Sequence, residues 1–491
     1  MEKFELFFSY SESPEMSPSV QGLESISDML ECFEGATQNL RRTGMYALYS
    51  KLFNSQSSSI LLPQSLSQTS KSIIDQGGLS LLIHHLAFLT SQLSPQRDLL
   101  LEQELRMVLN ILYTILLFSP REEIQNELSQ NSLVIEEAIL GLIKQSTDIV
   151  YVPIKKVSMV FEMYLKIILE KPEKSSVEGV DVKTSPPRCR LPASGVEGFY
   201  KRMVSKDNPL SLTVVGLLRS LLACCPGATI TGIDIRQEWQ SPILLSSQQI
   251  DFFSQSNMVF PDEARHRVIT GLFISKVLFL LIKRFRLNHY LQFQYLSQLI
   301  NDANGILVLL KFLNLDFVEI SKTSSLKNLH DTNRDWVIEK CLEIMLKVCY
   351  KINKGHSDRI QANLVQFKSS LIFKKLMGKF ITPIIEMPCL KLMRIQVKYL
   401  TKKWKSYPSN MKIISEIYQK LKPSKEDWLS ETGEEKITPD QVRQMIYDFN
   451  YYNYWQAMEN TPPESPQIPQ DFQEMYEQWL EENVWGYSYM Y

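Results

Sequence analysis

The chain has 491 residues, 44% hydrophobic, 10% aromatic and 22% charged, with a formal net charge of −1. That much apolar material fills one long core or several, which excludes a disordered chain, and the near-neutral total excludes binding of a polyanion by bulk charge. The seven cysteines are scattered, form no C-x-x-C pair and have no histidines at zinc spacing, so they read as reduced cytosolic thiols.

Residues 1–20 form an aromatic and acidic opening segment. Glu2 and Glu5 stand where a secretory signal needs a basic region and an apolar run, so none is expected. Phe4, Leu6, Phe7, Phe8 and Tyr10 fit a strap docking on another surface, and equally a segment packing on its own body. Ser13-Pro14 and Ser17-Pro18 are too common a dipeptide to carry an argument about phosphorylation.

Helical spacing then dominates. An N-terminal domain over 21–170 is expected to hold helices near Ile26–Phe53, Ile73–Leu93, Leu100–Phe118, Ser132–Lys144 and Ile154–Leu169. Lys171–Gly198, rich in Pro, Ser, Gly and charge, predicts an interdomain linker. A second domain over 199–425 follows, with helices near Ser211–Cys225, Pro261–Arg286, His289–Ile300, Leu307–Leu313, Thr332–Gly355, Leu390–Lys405 and Lys412–Leu421. Val268, Leu272, Ile274, Leu278, Leu281, Ile282 and Phe285 leave the second of these little polar face, so it should lie buried between neighbours. In Thr332–Gly355, Thr332 is placed to cap the start and Gly355 the end. Ala228–Ile235 is the one short strand candidate. Lys422–Pro439 reads as a polar loop, and residues 426–491 as an acidic C-terminal segment with a Pro-rich stretch, Thr461–Pro469, before a last helix over Asp471–Val484. No run of 18 apolar residues occurs, so no membrane insertion is expected.

These elements predict an all-α fold: an armadillo- or HEAT-like superhelix of helices stacked in pairs, in two halves joined by the linker. No fixed sequence period is found, so any repeat is degenerate.

The sequence has no G-x-S-x-G, Walker-type glycine loop, H-E-x-x-H or G-x-G-x-x-G, so catalysis, cofactor and metal sites are not expected. His84 and His85 lie in an apolar helical run and read as structural. His289, at a helix junction, reads as a capping or packing residue. Cys224 and Cys225 read as buried thiols with nothing cationic to activate them.

Charge is unevenly distributed. Gln366–Lys425 has fourteen basic residues against Glu386 and Glu416, and Glu426–Tyr491 has fourteen acids against Lys436 and Arg443. Lys391, Arg394, Lys398, Lys402 and Lys405 keep helical spacing and would share one face. Like charges this dense repel unless something negative lies near. Either the acidic tail folds back on them, or they form a pocket for a compact polyanion such as an inositol polyphosphate, or a surface for an acidic partner. The candidate site residues are Lys374, Lys375, Arg394, Lys398, Lys402, Lys403 and Lys405. Nucleic acid is disfavoured because no reading motif accompanies the basic residues.

IKRFRLNHYLQFQYLSQL (Ile282–Leu299) with NGILVLLKFLN (Asn304–Asn314), FKSSLIFKK from Phe367, LKLMRIQVKYLTKKWK and NMKIISEIYQKL within Leu390–Lys420, and IPQDFQEMYEQWLEENVW (Ile468–Trp485) resemble segments of the striatin-interacting protein family. So does ELFFSYSESPE (Glu5–Glu15). The segments occur in order along most of the chain. The resemblance is strongest from Ser211 onward and thinner between Gly22 and Leu169; Lys322–Lys354 is hard to match, and the linker is short. It implies an armadillo-like, non-catalytic scaffold that binds striatin and, through it, the scaffold and catalytic subunits of protein phosphatase 2A, with germinal-centre-type kinases tethered alongside. It also implies a cytoplasmic protein placed at endomembranes through its partners. The alternatives are an unrelated helical-repeat adaptor in trafficking or transport, a polyanion-binding regulatory protein, and, ranked last, an enzyme with an unrecognised site.

Overall fold

The computed structural model describes Leu6, Leu23 and residues 25–53, 62–146, 148–149, 151–169, 194–225, 263–315, 331–422 and 438–458. These residues form twenty helices and no strand. In chain order they are α1 Ile26–Phe33, α2 Gln38–Phe53, α3 Leu62–Asp75, α4 Gly78–Gln92, α5 Leu99–Phe118, α6 Arg121–Gln130, α7 Ser132–Gln145, α8 Ile154–Ile168, α9 Ser194–Met203 and α10 Pro209–Ala223. Then follow α11 Glu263–Asn288, α12 Tyr290–Asp302, α13 Gly305–Leu313, α14 Asp331–Asn353, α15 Ser357–Arg359, α16 Ser369–Lys379, α17 Pro383–Val397, α18 Lys402–Ser406, α19 Pro408–Leu421 and α20 Pro439–Tyr454. A π-helical segment, Ile360–Val365, continues α15.

The packing is a stack. α4, α7, α10, α13 and α16 each lie against the next, and so do α5, α8, α11, α14 and α17. Each helix of the first row also packs on its chain successor in the second row. A further helix (α3, α6, α9, α12 or α15) precedes each pair. The repeat is therefore a three-helix unit, of the armadillo kind, and not the helix pair expected from periodicity. The connection at 170–193 falls between two units, and those at 226–262 and 316–330 fall inside units, so the spacing from unit to unit is unequal, which is why no fixed period is visible in the sequence.

Local signals set the boundaries. The single helix expected over Ile73–Leu93 is two, because Gly77 adopts φ +75° between α3 and α4. The stretch Ile26–Phe53 is likewise split between α1 and α2. Asp98 caps α5 by accepting from Leu100 N at 2.9 Å. Gly355, at φ +89°, follows the end of α14, as its sequence position suggested. α14 begins at Asp331, so Thr332 lies inside the first turn and not before it.

α11 shows what holds the stack together. Val268, Leu272, Phe273, Leu278, Leu281 and Phe285 are all buried, and the helix packs on α8, α10, α12 and α14. Each such side chain contributes about 1.5–3 kcal/mol of transfer free energy. α8 precedes 170–193 and α11 follows it, so the core continues across that stretch. Most of the expected linker lies outside the described residues, and its end, from Ser194, is already α9. Ala228–Ile235, the last helix over Asp471–Val484 and most of the polar loop also lie outside them. Leu6 is buried in the body's own core cluster, which favours the second reading of the opening segment.

The second row also buries charge. Glu102 is held by Arg97 at 2.8 Å and Arg106 at 3.2 Å, Glu104 by Arg42, and Lys156 Nζ donates to Asn110 at 2.7 Å. Charges this deep persist only when paired.

Candidate anion-binding cleft

A cleft of about 870 Å³ opens where α12, the end of α14, α15 with its π-helical continuation, the end of α17, and α20 converge. Each wall has a local cause. Gly355 turns the chain sharply after α14, so Lys354 and His356 stand on the rim and Arg359 follows on α15. The π turn, ending where Gln366 N reaches back to Gln361 O at 3.0 Å, carries Asn363 along one side. Arg394 occupies the last turn of α17 and Lys398 its C-cap, where a cation also offsets the negative end of the helix dipole.

The lining holds five cations, Lys354, Arg359, Arg394, Lys398 and Arg443, against the carboxylates of Asp302 and Asp358. Burial, with Arg359 alongside, pushes His356 down to about 4, so it is neutral near pH 7. Arg359 is lowered too, first by burial; Asp302 and Tyr290 act the other way, and Arg443 adds repulsion. Arg359 donates to Ile352 O at 3.2 Å, and Lys398 lies 4.9 Å from the Tyr399 ring. Among the described residues, no carboxylate forms an ion pair with Lys354, Arg394 or Lys398. Cations converging on a walled recess focus a positive potential, which suits a compact, multiply charged anion.

The predicted site residues do not stay together. Arg394 and Lys398 line the cleft. Lys374 binds Ser409 Oγ at 3.0 Å and Asn410 Oδ1 at 2.5 Å, and Lys375 donates to Asn314 O at 3.1 Å, both away from the cleft. α17 ends at Val397, and a turn precedes α18, so Lys391 to Lys405 do not share one helical face as spacing suggested. Lys402 and Lys403 are exposed on α18, while Lys405 Nζ donates to Lys398 O at 3.3 Å. Lys354, Arg359 and Arg443 were missed because three separate elements supply them. The described part of the acidic tail brings a base, Arg443, into the cleft.

The other singled-out residues take structural roles. His289 caps α12 by accepting from Leu291 N at 3.2 Å and stacks on Phe449 at 4.3 Å. His84 Nδ1 lies 2.8 Å from Ser80 O, and His85 packs edge-on against Phe33 at 4.9 Å. Cys224 and Cys225 are buried, and burial raises the Cys225 thiol to about 11; Lys311 and Arg267 do lie near it, contrary to the expectation of no cation nearby, but they only partly offset the burial. Among the described residues, no group of three His, Cys, Asp or Glu is placed to hold a metal, and no helix is long and apolar enough to cross a membrane.

Comparison with known proteins gives one family model, described as "Domain of unknown function (DUF3402)", matching residues 170–335 and 340–481, more than half of the chain. Striatin-interacting protein 1 of Homo sapiens is 28% identical over 369 residues, covering 65% of this chain and 43% of that protein. Striatin-interacting proteins 2 of Mus musculus is 30% identical over 340 residues, covering 60% of this chain and 39% of that protein. A striatin-interacting protein 1 homolog of Danio rerio is 28% identical over 317 residues, 56% of this chain and 38% of that protein. The match thus spans less than half of each relative's own length.

Proposed function

The chain belongs to the striatin-interacting protein family, and we propose that it is a non-catalytic scaffold subunit of a striatin–protein phosphatase 2A–kinase signalling complex. The single observation that carries this reading is the ordered match to relatives whose names state an interaction with striatin. The fold supports it: the apolar residues are consumed in joining helix to helix, which leaves an extended exterior for other proteins. A scaffold of this kind raises the effective concentration of the phosphatase near germinal-centre-type kinases without doing chemistry itself. Its place would be the cytoplasm, with any endomembrane association supplied by partners.

Affinity capture of the tagged full chain, read by mass spectrometry, tests this. Recovery of a striatin together with the scaffold and catalytic subunits of phosphatase 2A is the expected result. A capture from which striatin and phosphatase are both missing sinks it.

A second reading concerns the cleft, and the convergence of five cations favours it. We propose that it holds a compact polyanion such as an inositol polyphosphate, as a structural ligand and not as a substrate. Reversing Arg394 and Lys398 to Glu should abolish binding of inositol hexakisphosphate in calorimetry while the circular dichroism stays helical. Retained affinity in that double variant counts against the cleft.

A further inference from the structure

Among the described residues the first row of the stack ends at α16, which packs on α13, α17 and the π-helical segment. α19 closes the same end. It packs on α17 and α18, and Lys374 of α16 reaches Ser409 and Asn410 at its start. The end repeats of a helical stack need a polar outer face to stay soluble. The outer face at this end is apolar.

α19 carries two stripes. Asn410, Ile413 and Ile417 are buried against the body. Tyr407, Met411, Ile414, Tyr418 and Leu421 recur at steps of four and three, so they line a neighbouring flank. Tyr407 is 63%, Met411 54% and Tyr418 59% exposed, and Ile414 and Leu421 are half-buried. On α16, Leu371 is exposed one turn before Lys374, and a Cβ at Gly378, one turn after it, would meet nothing within 4 Å. Lysines rim this surface. Lys412 and Lys422 stand at the two ends of the α19 stripe, and Lys402 and Lys403 lie on α18. All four are exposed, and among the described residues no carboxylate forms an ion pair with them. An apolar patch with a basic rim is the form of a seat for an acidic amphipathic helix.

The chain itself contains such a segment. Residues 459–491 have seven acids and no base. Over Asp471–Val484, helical spacing groups Phe472, Tyr476, Trp479 and Leu480, with Asp471 and Glu482 along one edge of that group and Glu477 along the other. The body fixes where this segment departs, because Lys206 N, just before α10, donates to Ala457 O at 3.2 Å. α16 is two helix layers from α10, about 20 Å at the usual spacing, and residues 459–470 reach about 40 Å when extended. We propose that the outer face of α16 and α19 is a docking surface whose occupant is the chain's own segment 471–484, seated where a sixth unit would stand. Docking covers the apolar stripe and brings the flanking acids to the rim lysines. The proposal does not depend on the cleft holding an anion.

The test treats the full chain with a carbodiimide, which joins carboxylates directly to lysine amines, and reads the monomer fraction by mass spectrometry. Asp471, Glu477 or Glu482 should join to Lys402, Lys403, Lys412 or Lys422. Met411→Glu with Tyr418→Glu should cut the yield of these links about fivefold or more. Both positions are exposed, so the circular dichroism and thermal midpoint should hold. Trp479→Ser with Leu480→Ser, which leaves the described body untouched, should lower the yield equally and raise amide exchange over 408–421 about fivefold. Links confined to a dimer fraction make the occupant a second copy and overturn the proposal. So do links to other lysines only, a yield that neither double variant lowers, or no links together with unchanged exchange.

Discussion

The carboxylate of Glu136, in α7, receives two hydrogen bonds from the guanidinium of Arg202, in α9, at 2.6 and 2.7 Å. Tyr164 of α8 donates to the same carboxylate at 2.6 Å, and burial beside Glu136 holds its hydroxyl far above the ordinary range. This knot ties the units on either side of 170–193.

Glu136 is nearly inaccessible, so removing its cation leaves a buried charge with one neutral partner. Arg202→Met should lower the unfolding free energy by about 3 kcal/mol, read as a fall in the urea midpoint. The Glu136→Met, Arg202→Met double variant should cost less than the two single changes added together, because the stranded charge is then gone.

The stack also depends on close backbone approach. A Cβ at Gly216 of α10 would stand 2.8 Å from Ile143 Cγ2 and 2.9 Å from Ile143 O of α7. A backbone carbonyl cannot rotate away, so Gly216→Ala should destabilise by about 1–3 kcal/mol despite the better helix propensity of alanine. Thermal unfolding of the variant checks this; an unchanged or raised midpoint would contradict the packing described.

His85, between Phe33 and Phe88, is pushed down to about 4, first by burial and then by Arg41. A folded-state value below that of the unfolded chain means that the unfolded state takes up the proton first. The contribution is full above the unfolded value near 6.5 and is lost as pH falls from there toward 4. His85→Leu should flatten the fall in urea midpoint across that window. An identical slope in the variant assigns the acid sensitivity elsewhere.

Lys374 joins α16 to the start of α19 through Ser409 and Asn410 and does not face the cleft. Lys374→Met should therefore cost about 1 kcal/mol of stability and leave the affinity for inositol hexakisphosphate unchanged. A weakened affinity would place this lysine in the site after all.

Much of the helical content was legible because apolar residues at steps of three and four have one economical burial. The all-round apolar α11 reads from its sequence as a helix enclosed by neighbours, and it is one. The polar helices were harder. α6 and α20 have few apolar positions, so periodicity passed over them, and α20 proved to form one wall of the cleft. The split at Gly77 needed a left-handed turn that a lone glycine does not announce.

The sequence by itself determined that the chain is helical, that its helices bury apolar stripes against one another, that it resembles the striatin-interacting proteins, and that positive charge accumulates between 366 and 425. These follow from residue types and short-range spacing, which a linear chain records directly. Only the tertiary structure decided which cations meet. Arg394 and Lys398 were within reach of sequence reasoning, but Lys354, Arg359 and Arg443 come from elements far apart along the chain, and Lys374 and Lys375 turn to local oxygen acceptors instead. Electrostatic potential depends on distance in space, and the folding that sets those distances is written in the packing of whole helices and not in the order of charges.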